Sequence, residues 1–147
     1  VKRFGLVKYG TPQEKEVKDE AIYDYGIMEV QPSGLELAGI VEAKTRWVEP
    51  EVLANDWDNE WFMGKAKVEI NRKIAMNSKV PFFGILAFAG IGEYLWIEIS
   101  NKKGFFQTPV RHGTKKTQAS TAGGFKMSEL TWIKMDNAKR YKIGDHK

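Results

Sequence analysis

Residues 21–47 read AIYDYGIMEVQPSGLELAGIVEAKTRW, and the punctuation at their centre decides the fold. Gln31-Pro32-Ser33-Gly34 is a turn signal: proline presets φ, serine bonds its own backbone, and glycine accepts conformations that other residues resist. The flanking runs are rich in Ile, Val, Leu and Tyr, which suit a pleated surface. The stretch predicts a β-hairpin, with strands over residues 21–30 and 35–47. Centred near Ser33, such a hairpin pairs residues whose numbers sum to about 66. Asp24 then faces Glu42.

Working outward, residues 48–58 (VEPEVLANDWD) suggest a loop. Residues 59–77 place Met63, Ala66, Ile70 and Ile74 at helical spacing, which predicts a helix with Asp58 as N-cap. Residues 82–89 (FFGILAFA) form an apolar run that predicts a central strand buried on both faces. Gly90-Ile91-Gly92 turns the chain into a further strand over residues 93–100. Strand, helix and strand in this order predict a right-handed crossover between parallel strands. Upstream, residues 3–9 suggest an edge strand and residues 11–20 a short charged helix capped by Thr11. Downstream, residues 111–124 (RHGTKKTQASTAGG) predict a loop and residues 130–135 a short strand. The fold class expected is α/β: a single domain over residues 1–147 with a central mixed β-sheet flanked by helices. Its core spans about residues 21–100, and residues 101–147 form a basic extension.

Side chains alternate along a strand, so Lys44 shares the face of Glu42. One face of the hairpin then presents Asp24, Glu42 and Lys44. Directly opposed carboxylates repel, and a cation beside them removes that objection. Two carboxylates with open water positions suit Mg²⁺ or Mn²⁺. Such an ion lowers the pKa of a bound water and neutralises charge on a phosphoryl group. A lysine two residues on can stabilise developing negative charge or orient the attacking water. An exposed polar face with an ordinary ion pair is the plain alternative. Against it, the pair sits inside the apolar run GIVEAK, where charge rarely occurs without a partner.

Asp24 followed by Glu42-Ala43-Lys44, with a helix and an apolar Val-Pro strand after them, resembles the PD-(D/E)XK (restriction-endonuclease-like) nuclease superfamily. The resemblance covers about residues 21–100. IVEAKTR (residues 40–46) resembles the family's strand motif, and Tyr23-Asp24-Tyr25 its preceding acidic position, with tyrosine where the family name has proline. The resemblance implies a mixed sheet flanked by helices, dependence on Mg²⁺ (or Mn²⁺) held by Asp24 and Glu42, and cleavage of nucleic-acid backbones with Lys44 as the third catalytic group. Which of Glu14, Glu16 or Glu20 supplies the family's helix-borne acid stays open.

Composition agrees with this direction. The chain lacks cysteine and has two histidines, which excludes disulfide scaffolds, thiolate metal sites and cysteine catalysis. Residues 1–73 carry 11 Lys/Arg against 14 Asp/Glu, whereas residues 74–147 carry 12 against 5. An acidic front and a basic back suit a protein that holds cations in one place and a polyanion in another. Arg46, Arg72, Lys115 and Lys116 are the expected nucleic-acid contacts, and Phe105, Phe106 and Phe125 interleave with the basic tail. No signal peptide or membrane span is apparent, so a cytoplasmic protein is expected. The function expected is a divalent-metal-dependent nuclease acting on DNA in preference to RNA, structure-directed or weakly sequence-specific, with a homodimer as one way to cut both strands. Binding nucleic acid without turnover is the alternative.

Overall fold

The computed structural model describes residues 3–8, 24–118 and 124–143, with backbone alone at residues 3–8, 117 and 118. The helix expected at residues 11–20, with Glu14, Glu16 and Glu20, lies outside the described residues. Among those described, the elements run β1 (Arg3–Lys8), β2 (Tyr25–Gln31), β3 (Gly34–Arg46), α1 (Pro50–Asp56), β4 (Glu60–Gly64), α2 (Lys65–Asn77), β5 (Phe82–Phe88), β6 (Glu93–Ser100), β7 (Val110–Gln118), β8 (Phe125–Lys134) and β9 (Lys139–Lys142). They build a mixed α/β fold of two sheets. A six-stranded mixed sheet has the order β1-β2-β3-β5-β6-β9, and a three-stranded antiparallel sheet the order β4-β8-β7. No described helix is long and apolar enough to cross a membrane.

The β2–β3 hairpin forms as the sequence predicts, with one added device. Gln31 pairs with Gly34, so Pro32 and Ser33 make a two-residue turn, and Gly34 adopts φ +131°, a conformation suited to glycine. From this turn the pairs Val30–Leu35, Glu29–Glu36 and Met28–Leu37 follow in regular order, then the register shifts at Ile27. Ala38 is the extra residue. Beyond it come Ile27–Gly39, Gly26–Ile40 and Tyr25–Val41, the register that leads to Asp24 and Glu42. The bulge reconciles a tight turn with the pairing at the base of the hairpin.

β3 runs parallel to β5, with Ile40 beside Phe82, Glu42 beside Gly84 and Lys44 beside Leu86. The intervening crossover is richer than one helix. Pro50, at the first turn of α1, starts a helix where a loop was expected, because proline is suited to that position. The expected helix over residues 59–77 begins only at Lys65; residues 60–64 are β4, paired with β8. Met63 therefore belongs to a strand rather than to the helical stripe. Asp58 is not an N-cap either. Asp58 and Asn59 both take left-handed φ, +53° and +54°, a conformation these residues tolerate, and turn α1 into β4. On α2 the buried stripe is Val68, Asn71 and Ala75, while Ala66 is exposed. The loop expected at residues 111–124 is replaced through Gln118 by β7, paired along its length with β8.

One apolar cluster joins the elements. Ile40, Phe82, Leu86, Phe88, Ile97 and Ile99 of the main sheet pack with Leu53 of α1, Trp61 and Met63 of β4, and Val68 and Ala75 of α2. Ile133 and Met135 belong to the same cluster, so residues expected as an extension beyond the core help to build it. Gly84 shows how close the layers come. A Cβ there would lie 2.8 Å from Cζ3 of Trp61 and 3.0 Å from Cδ1 of Ile99. Trp61 is itself buried and cannot swing away. Gly84→Ala should therefore destabilise the protein by about 1–3 kcal/mol through overpacking, read as a lowered midpoint in urea unfolding.

Candidate active site

β3 delivers Glu42 and Lys44, two residues apart, to the face covered by α2 and β4. The carboxylate of Glu42 is wholly buried, at 0% exposure. Its Oε1 lies 2.8 Å from Nζ of Lys67 and 3.4 Å from Nζ of Lys44. Lys67 comes from the first turn of α2, just past the Gly64 cap, and its side chain is only 15% exposed. One buried anion thus lies between two ammonium groups from different elements. A buried carboxylate without a cation would cost several kcal/mol; the position of Lys67 is what makes the burial tolerable.

The compensation is incomplete. Neither oxygen of Glu42 makes a hydrogen bond of good geometry, although Lys67 stands at ion-pair distance from Oε1. Asn71, one turn beyond Lys67 on α2, is also wholly buried with no hydrogen bond to either amide atom, and the buried indole nitrogen of Trp61 has none. Each such group carries a desolvation cost of roughly 1–3 kcal/mol. Lys44 has a pKa below the ordinary lysine value. Burial lowers it most, the nearby Lys67 charge lowers it further, and Glu42 offsets part of the effect.

Asp24 meets β3 at the next position along the hairpin. Here β2 bends: the Asp24 amide donates to the Val41 carbonyl at 2.9 Å, and the Ala43 amide donates to Oδ2 of Asp24 at 2.9 Å. The Asp24 carboxylate therefore takes up a backbone donor beside Glu42, which fixes its place against β3. No group of three or more His, Asp or Glu side chains suited to a metal occurs among the described residues. What the site offers an ion is Oε2 of Glu42, buried and without a hydrogen bond, with the Asp24 carboxylate anchored on the next residue of β3, Ala43. That fits Mg²⁺, which keeps several waters and often takes only one or two carboxylates, together with substrate phosphates.

The remaining expected contacts are dispersed. Arg46, at the end of β3, donates from Nη1 to the Thr45 carbonyl at 3.1 Å, and burial lowers its pKa. Arg72, further along α2, donates to the Gly104 carbonyl at 2.9 Å and to Glu69 at 2.8 Å, with its guanidinium against Phe106. Its donors thus tie the helix to the loop after β6. Lys115 and Lys116 stand on β7, their ammonium groups over Phe62 and Phe125. Sequence spacing did not single out the Lys67 contact, because a lysine on a charged helix resembles a solvated one. Asn71 left a fainter signal, a polar residue between Val68 and Ala75.

The chain matches no protein-family model, no curated protein and no solved structure.

The two lysines should respond differently to removal. Lys67→Met leaves Glu42 with only the more distant Lys44 and should cost about 3 kcal/mol, read as a fall in the urea midpoint. Lys44→Met keeps the shorter ion pair and should cost less. The folded pKa of Lys44 lies below its unfolded value, so between the two the folded protein binds fewer protons than the unfolded chain. The stability difference between wild type and Lys44→Met should accordingly shift in favour of wild type as pH rises toward 10.5.

Proposed function

We propose that this chain is a divalent-metal-dependent nuclease that hydrolyses phosphodiester bonds, with DNA preferred to RNA. The observation that carries this reading is the wholly buried Glu42, held by Lys67 and Lys44 and retaining an oxygen without a hydrogen bond. Replacing a buried ion pair by apolar side chains of similar volume is often neutral or stabilising. A need for stability alone gives little reason to keep one. The order Asp24, Glu42-Ala43-Lys44 supports the same direction through its resemblance to the PD-(D/E)XK superfamily.

In this reading Asp24 and Glu42 hold Mg²⁺ (or Mn²⁺). When bound, the ion lowers the pKa of a coordinated water and neutralises charge on the scissile phosphate. Lys67 keeps the Glu42 carboxylate in place against the sheet. Lys44, more exposed and with a lowered pKa, faces the open side and stabilises charge on the phosphate or orients the attacking water. Sequence preference would be weak, since no recognisable base-reading module accompanies the site. A homodimer would place two such sites on the two strands of a duplex. Binding without turnover is the second reading, favoured by the two lysines that already occupy Oε1 of Glu42.

Incubation of the purified protein with plasmid and oligonucleotide DNA, in Mg²⁺ and in EDTA, tests the proposal. Cleavage should require the ion. Folded Glu42→Gln should lose cleavage while keeping nucleic-acid binding, and Lys44→Ala should slow it roughly 10²–10³-fold. Undiminished metal-dependent cleavage by Glu42→Gln would overturn the catalytic assignment; binding with no cleavage by wild type would establish the second reading.

A further inference from the structure

Strand alternation gives β4 two characters. Trp61 and Met63 point into the core, and Phe62 points outward. On the outer face Phe62, Trp132 and Arg111 form one rung across β4, β8 and β7. The Phe62 and Trp132 rings are 6.1 Å apart, and the Arg111 guanidinium lies 4.2 Å from the centre of the Trp132 ring. Lys115, four residues along β7 on the same face, places Nζ 4.9 Å from the centre of the Phe62 ring. Between them Gly113 keeps the face low, since a Cβ there would stand 3.2 Å from Cζ3 of Trp132. These side chains line a cleft of about 230 Å³ with Trp57, which is 39% exposed, at its rim.

Two acids and two bases line the cleft, and their donors are unevenly used. Asp58 and Glu60 line one side, and Glu60 already accepts from Nε of Arg111 through both carboxylate oxygens at 3.1 Å. Among the described residues, the two Nη groups of Arg111 have no hydrogen-bond partner, and neither Lys115 nor Lys116 has a carboxylate partner. On the opposite face, further along the hairpin, Lys116 lies over Phe125, a phenylalanine 67% exposed. Cations with unused donors, set beside the partly buried Phe62 and Trp132 rings and the exposed Trp57, match a chain of phosphates that carries flat, unpaired bases. A duplex would use the cations and leave the rings idle, because its base faces are already stacked.

We infer that this outer face binds single-stranded polynucleotide, stacking unpaired bases on Phe62, Trp132 and the Arg111 guanidinium and pairing Lys115 with phosphates. The inference rests on the nucleic-acid reading of the proposed function, and it narrows the substrate to one with a single-stranded stretch. β4 links the two places directly: Phe62 lies on the platform, and Lys67, five residues on, reaches Glu42.

The test is fluorescence anisotropy with the full chain in EDTA, so that nothing is cut. The probes are labelled oligo-dT, oligo-rU and a blunt duplex of equal length. Either single strand should bind more tightly than the duplex, and the tighter of the two identifies the polymer. Trp132→Leu should weaken single-strand binding by about 5- to 150-fold and leave duplex binding nearly unchanged. Lys115→Gln, on an exposed side chain that need not disturb folding, should reduce the salt slope of single-strand binding by about 0.7. Duplex bound as tightly as single strand, or a folded Trp132→Leu that binds like wild type, would overturn the inference and leave the nuclease proposal standing. Failure of all three probes to bind would likewise overturn the inference, while cleavage in Mg²⁺ decides the nuclease proposal separately.

Discussion

The organising constraint is the burial of one carboxylate. Glu42 sits at 0% exposure on a strand whose neighbours on that face, Ile40, Phe82 and Leu86, are apolar and buried. A charge there is tolerable only if a cation is brought to it, and α2 brings Lys67 within 2.8 Å. Much of the local design serves that approach. Gly84 beside Glu42 leaves room for Trp61, so β4 can lie close to the main sheet. Gly64 ends β4 and starts the helix, and Lys67 follows in its first turn. The antiparallel pairing of β4 with β8 anchors this assembly from the far side.

Stability and chemistry pull in opposite directions at this point. The apolar cluster around the site contributes roughly 1.5–3 kcal/mol for each fully buried large side chain. The unsatisfied groups of Glu42, Asn71 and Trp61 each give back a comparable amount. A core selected for stability alone would remove them. Their presence beside a lysine of lowered pKa is what the proposed function would explain.

The parts of the fold that are legible in the sequence are those where local chemistry and burial agree. The turn at Pro32-Ser33-Gly34 identifies the hairpin, the apolar run FFGILAF identifies β5, and EYLWIEIS identifies β6. The register near Asp24 and Glu42 follows from the turn, although the Ala38 bulge that completes it leaves no mark in composition. β4 is hidden because it is five residues long and its Met63 also satisfies a helical spacing. β7 is hidden because its residues are mostly polar, as an exposed strand on a small sheet permits. The candidate site divides in the same way. Glu42 and Lys44 stand out as charge within an apolar strand, whereas Lys67 becomes meaningful only when the crossover folds back over β3. The aromatic face is the least visible, since Phe62, Arg111 and Trp132 come from three separated strands.

The central claim is that the buried charges are kept for chemistry rather than for folding. The most direct measurement follows stability and cleavage together in one protein, the double variant Glu42→Leu/Lys67→Met, which removes the ion pair and leaves apolar side chains of similar volume. The account predicts a protein at least as stable as wild type in urea unfolding, with no Mg²⁺-dependent cleavage of DNA. A double variant that cleaves DNA like wild type would contradict it.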